Sequence, residues 1–250
     1  MQQIILFELN CLYKPSNYSV MKKLILLSFL LLSVSSFLQA QCNPYFPIKN
    51  GAEWVYENFN GKGKTTGKNQ QRVTAFTSSA SGFKATIHTI MLDEKGKELT
   101  NGDLEVTCDQ GVILMDMRRF IPQEQMKAFG ASEIKVESAN LEFPATLKAG
   151  QTLKDGSITV TAIGSQIPMS MVVTIFERVV EAQESITTPA GTFECVKIRS
   201  KMHLKNQMGI VMNFDFSSVE WLAPDGGNIK SESYNKNGKL QGSTVLISRK

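Results

Sequence analysis

Apolar and polar residues alternate with a period of two along most of this chain. Phe83, Ala85, Ile87, Thr89 and Met91 share one phase, while Lys84, Thr86 and His88 begin the other. Leu104, Val106 and Cys108 alternate with Glu105 and Thr107, and Asp109-Gln110-Gly111 then turns the chain into Val112–Met117. Such alternation places every second side chain on one face of a half-buried strand. Met169, Met171, Val173 and Ile175 line a longer strand; Val196, Ile198, Met202 and Leu204 line another. Ile210, Met212, Phe214 and Phe216 line a third, after which the apolar phase passes to Val219 and Trp221. That slip predicts a β-bulge near Ser217-Ser218. Asn237-Gly238, between alternating runs ending at Tyr234 and starting at Leu240, predicts the last hairpin.

Two stretches depart from the pattern. Pro122–Phe129 predicts a helix of about two turns, with Pro at its start and Gly130 past its end. Leu141–Gly156 is irregular, with Pro144, Gly150 and Gly156, and marks a junction between two parts of a sheet. The predicted fold is mainly β: a curved antiparallel sheet or open half-barrel with one short helix.

The amino-terminal region reads differently. Met21-Lys22-Lys23 precedes an uncharged run from Leu24 to Phe37, then Leu38-Gln39-Ala40. A basic head, a short apolar run and a small residue before the cut predict a secretory leader over residues 21–40. The run is shorter than the ~18–20 residues a membrane span needs. Gln41, rather than a small residue, stands before Cys42, which disfavours lipid attachment there. Residues 1–20 fit no leader and read as a start codon placed too early. The expected mature chain, residues 41–250, is one all-β domain in a Gram-negative type envelope, periplasmic or extracellular.

Composition narrows the partners. The whole chain carries 27 Lys and Arg against 23 Asp and Glu. Removing Lys14, Lys22, Lys23 and Glu8 leaves 24 − 22 = +2. So small a charge gives no footprint for nucleic acid. After leader removal no segment is expected to be integral to a membrane. Export favours a disulfide, and Cys42, Cys108 and Cys195 remain to form it. Cys42–Cys108 is the expected pair, worth about 4 kcal/mol in the chain-entropy model; the other two pairings stay open.

Candidate chemistry is mostly absent. His88 and His203 both sit on polar faces, and no two histidines have metal-ligand spacing. No nucleophile elbow, phosphate loop or dinucleotide fingerprint is present. The sequence predicts no catalytic residue, metal or cofactor, and a binding protein rather than an enzyme; carboxylates are plentiful, which leaves a paired-carboxylate hydrolase open, but nothing points at a pair. Methionine stands out, with nine in residues 41–250. Flexible thioethers suit adaptable apolar surfaces. Met115, Met117, Met169, Met171, Met202, Met212, Phe214 and Trp221 are therefore candidate lining for an apolar small molecule or lipid. The alternative is a structural or interaction module that meets another envelope protein.

Four segments carry a family likeness: Cys42–Tyr56, Thr188–Cys195, Glu220–Pro224 and Gly227–Tyr234. Together they resemble the TapB-like group of exported bacterial proteins, whose function is unknown. The motifs are turns and aromatic anchors, so the resemblance implies a fold and no chemistry. Asp225 and Asn228 depart from the family pattern within a turn.

Overall fold

The computed structural model describes residues 42–121, 129, 133–164 and 167–250. The expected leader, the extension before it, and Pro122–Phe129 apart from Phe129 lie outside them. Fourteen strands form one antiparallel sheet: β1 (Glu53–Asn60), β2 (Thr65–Ser78), β3 (Gly82–Asp93), β4 (Glu98–Asp109), β5 (Val112–Met115), β6 (Glu133–Ala139), β7 (Leu141–Phe143), β8 (Thr152–Leu153), β9 (Gly156–Ile163), β10 (Met169–Thr188), β11 (Gly191–Met208), β12 (Ile210–Ala223), β13 (Gly227–Asn235) and β14 (Leu240–Arg249). Their spatial order is β6-β9-β10-β11-β12-β13-β14-β1-β2-β3-β4-β5-β7, with β8 also on β10. The sheet curls into a nearly closed barrel whose single seam falls between β6 and β7. The predicted curved, mainly β fold is therefore present. A four-residue 3-10 turn, Met117–Phe120, is the helical element among the described residues.

The alternation sets which side faces in. Phe83, Ala85 and Ile87 of β3 are buried, as are Val106 and Cys108 of β4. The hairpin between β4 and β5 turns on Gln110 (φ 47°) and Gly111 (φ 85°). Two successive left-handed residues give the turn a twist that matches the flanking strands. Gly238, with φ 73°, serves the last hairpin.

The bulge expected at Ser217-Ser218 is not there. β12 pairs with β11 without interruption from Ile210 to Leu222. Val219 and Trp221 are simply on the outer face. Trp221 is buried there because Lys197 and Lys230, its cross-strand neighbours, lie over its ring at 5.8 and 4.7 Å, and Glu184 accepts its indole N–H. Long cationic side chains cover an aromatic ring with their stems while their charged ends stay wet.

The decisive irregularity is in β10. Its register slips between Phe176 and Val179, and Glu177 takes φ 49°. Before the slip Met171, Val173 and Ile175 are buried; after it the buried positions are Arg178 and Val180. One extra residue has moved the inward phase by one, so an arginine enters the core. Arg178 is 1% exposed. Its guanidinium donates to the carbonyls of Glu142 (3.1 Å) and Lys154 and lies over the Phe143 ring at 4.6 Å. It thereby joins β10 to β7 across the seam.

The segment before β1 stops one end of the barrel. Cys42 is disulfide-bonded to Cys108, and Cys195 is free and buried. Asn43, fully buried, donates from its side chain to the carbonyls of Gly111 (3.0 Å) and Phe143 (2.9 Å). Phe46 packs on Phe143 with ring centres 5.0 Å apart.

Replacing Arg178 by Ala should cost about 3 kcal/mol, because it opens a cavity and orphans two buried carbonyls. Urea unfolding should show the lower midpoint, with Arg178→Met losing less because the volume is kept.

Candidate functional site

The barrel holds a half-open chamber of about 290 Å³, with Phe46 among its lining residues. Its floor is apolar: Phe46, Trp54, Ile87, Val106, Phe143 and Leu222. Its upper wall is polar. Glu220 of β12, Ser231 of β13, Thr244 of β14 and Asn58 of β1 form one cross-strand row. Thr244 donates to the Asn58 side-chain oxygen at 3.0 Å. Asn69 and Gln71 of β2 continue the polar wall, and the side-chain oxygens of Asn69 and Asn228 have no hydrogen-bond partner. The chamber meets a wider cleft of about 1010 Å³ along β2–β4. Asn69, Gln71, Leu104 and Arg119 border both.

The 3-10 turn places Arg119. Asp116 caps it by accepting the Arg118 N–H at 2.8 Å, and Met117 and Ile121 sink into the core on either side. Two buried anchors hold the turn, so Arg118 points to solvent and Arg119 reaches the mouth of the chamber. Arg119 remains accessible to water, yet the surrounding protein desolvates its charge and pulls its pKa below the usual arginine value; Glu220 and Tyr56 act in the opposite sense. Both facts hold together for a side chain inside a lumen. Its one hydrogen bond is to the Met115 thioether, a weak acceptor. Tyr56 also lines the chamber, and burial holds its hydroxyl protonated far above the usual tyrosine range.

Of the eight lining candidates, Met115 borders the chamber. Met117 and Met171 are fully buried in the core, and Met169 and Met202 pack partly buried against it. Met212 and Phe214 are exposed at the far end of β12, and Trp221 is on the outer face. Tyr56, Asn69, Gln71, Arg119 and Glu220 escaped notice as candidates. A signal existed for two of them: Asn69 and Gln71 share the inward phase with Val73, so polar residues occupy core-facing positions of β2.

The histidines are elsewhere. His88 and His203 each face a carboxylate directly across the strand pair, Asp103 and Asp215, both at 2.7 Å and both on the outside. Neither borders the chamber. Among the described residues no cluster of three or more potential metal ligands occurs. Burial, with help from Glu194 and Glu184, pushes the Cys195 thiol up to about 11, which leaves it a poor nucleophile at neutral pH.

Two solved structures share this fold. One is described as an exported protein with a YmcC-like fold from Bacteroides fragilis (23% identity, 84% of this chain, 100% of that chain, TM-score 0.65). The other is described as a lipoprotein from Parabacteroides distasonis (22% identity, 84% and 100% coverage, TM-score 0.67). At such identities the likeness concerns the fold alone. No curated protein matches the chain.

Cys195 should resist iodoacetamide at pH 8 in the folded protein and react once in urea. Because its folded pKa is raised, the fold favours the neutral thiol. That contribution is complete below the unfolded thiol pKa and is lost as pH climbs toward 11. Quantitative thiol labelling checks both statements.

The DUF3108-like family model matches residues 49–246, nearly the whole barrel; it does not confirm the TapB-like name, and the chain belongs to the DUF3108-like family.

Proposed function

We propose that this chain is an exported binding protein, not an enzyme, which holds a small amphipathic molecule in the barrel chamber. The observation that carries the reading is the chamber itself: an aromatic and aliphatic floor beneath a polar, partly unsatisfied wall. Binding sites are commonly concave and apolar, with a few placed polar groups, and 290 Å³ lies at the small end of their range. The expected apolar guest is thus refined to one with a polar head. Export is supported by the leader read over residues 21–40 and by the descriptions of the two structural neighbours. The wall contains no histidine or cysteine to act as base or nucleophile.

Trp54 borders the chamber whereas Trp221 does not, so the two tryptophans separate the signal. A Trp221→Phe variant should still change its fluorescence when a medium-chain amphiphile is added. Protein recovered from a periplasm should carry a low-mass adduct in native mass spectrometry, and a Leu104→Trp variant, with the chamber filled, should not. An absence of both adduct and spectral change would remove the basis of the reading.

A second reading, the interaction module, is favoured by the free end of β12. Ile210–Asp215 pair with β11 on one side, while β13 joins only from Phe216. The other edge is bare among the described residues and carries no Pro, no bulge and no charge before Asp215, the usual protections of an edge. Ile210, Met212 and Phe214 are 77, 46 and 42% exposed. The occupant proposed is a second copy of this chain. A two-fold pairing centred on Met212 sets Ile210 against Phe214 and Asp215 against Gly209, so no like charges meet. Sedimentation velocity should show a dimer at micromolar concentration that Met212→Lys abolishes. A monomer at every concentration would dismiss it.

A further inference from the structure

Two arginines face the interior, and their surroundings differ. Arg178 donates to two backbone carbonyls and covers a ring. Those contacts account for its presence as a brace of the seam. Arg119 has no such account. Among the described residues it meets no carboxylate or carbonyl, and its only acceptor is a thioether. Glu220, the one carboxylate in the chamber wall, acts on Arg119 through space without a hydrogen bond, and acts on Arg178 as well. Tyr56 adds a second donor at the same wall. Among the described residues its hydroxyl makes no hydrogen bond, and Arg119 is the charge that acts on it.

Two donors beside an apolar floor, one of them a cation, form half of a recognition site. The missing half is an acceptor, and one negative charge matches the single unpaired guanidinium. The Arg119 guanidinium is exposed to solvent at the chamber mouth, so a ligand carboxylate can replace the water it meets with a charge-assisted pair of hydrogen bonds. The apolar floor lies directly below, which asks for a hydrocarbon or aryl body joined to that anion. The chamber holds about ten groups of ~30 Å³ each. That is room for one medium-length chain.

Resting on the chamber reading above, we infer that the guest is a medium-chain monocarboxylate, its carboxylate held by the Arg119 guanidinium and the Tyr56 hydroxyl and its body lying on Trp54, Ile87 and Phe143. A planar guanidinium donates to both carboxylate oxygens at once, and the Tyr56 hydroxyl adds a third donor. Arg119 stands between the chamber and the open cleft, so the head remains at the entrance and the tail enters first.

The test compares decanoate with 1-decanol, equal in chain length and different in head, by calorimetric titration of the purified protein at pH 7.5. Wild type should bind decanoate at least about tenfold more tightly than decanol, as a hydrogen-bonded charge pair implies. Arg119→Gln should bring the two affinities together by weakening decanoate. Arg119→Lys should restore part of the preference, and Tyr56→Phe should lower it without removing it. Circular dichroism and the urea midpoint confirm that each variant is folded. Equal binding of both compounds by wild type would overturn the carboxylate assignment and leave the chamber as an apolar site. Binding of neither would overturn both.

Discussion

A sheet that bends round on itself must bring together two edges that were not made by the same hairpin. Here those edges are β6 and β7, and neither completes a backbone ladder with the other. The burden of closure falls on Arg178. Its two donated hydrogen bonds reach the carbonyl of Glu142 in β7 and that of Lys154, just before β9, from a single side chain on β10. A hydrophobic residue would fill the same volume and leave those carbonyls unmatched in a dry interior, where each costs about 1–3 kcal/mol. Placing an arginine there in turn requires the inward phase of β10 to shift by one. Glu177, forced into the left-handed region, is the local cost of that shift.

The same closure creates the chamber. In a curled sheet every inward-facing residue points at the axis, and side chains from β12 meet those from β2 across the lumen. Large residues fill the end stopped by Phe46, where the disulfide and Asn43 hold the leading segment in place. Toward the other end the inward positions become Asn58, Asn69, Gln71, Ser231, Thr244 and Glu220, which are smaller or polar and do not close the space. The chamber is therefore not a packing defect at a random place. It begins where the inward row changes from apolar to polar.

That change explains what the sequence could and could not disclose. Strand identity is legible, because β3, β4 and the first half of β10 alternate over many residues, and turns such as Asn237-Gly238 have few other uses. The inside of the barrel was harder to see. Reading polar residues as outward is sound for a sheet with one wet face, and it fails for a lumen, which is itself partly wet. It removed Asn69 and Gln71 from view although Val73, two residues on, fixes their phase. Methionine misled for the converse reason: Met117 and Met171 are ordinary core, filling irregular gaps, and Met212 is at an exposed strand end. The slip in β12 was inferred from Val219 and Trp221, but an outer-face tryptophan covered by two lysines imitates a change of phase without one. The β10 bulge at Glu177 leaves no mark in composition, since a glutamate followed by an arginine looks like any exposed pair.

Arg119 and Arg178 together show how burial of a charge is to be interpreted. Desolvation lowers the pKa of both guanidinium groups, so both are costly to place. For Arg178 the compensation is internal though partial: Nη1 donates to two carbonyls and the guanidinium covers the Phe143 ring, while Nη2 has no partner among the described residues. For Arg119 the fold supplies a methionine sulfur, an adjacent ring, Phe120, at 5.3 Å, and the Glu220 carboxylate acting through space without a hydrogen bond. Arg119 is exposed to solvent, so water can be displaced from it by an incoming anion, whereas Arg178 is sealed in the core by its own contacts. The difference between the two is the physical ground for treating one arginine as architecture and the other as half of an encounter.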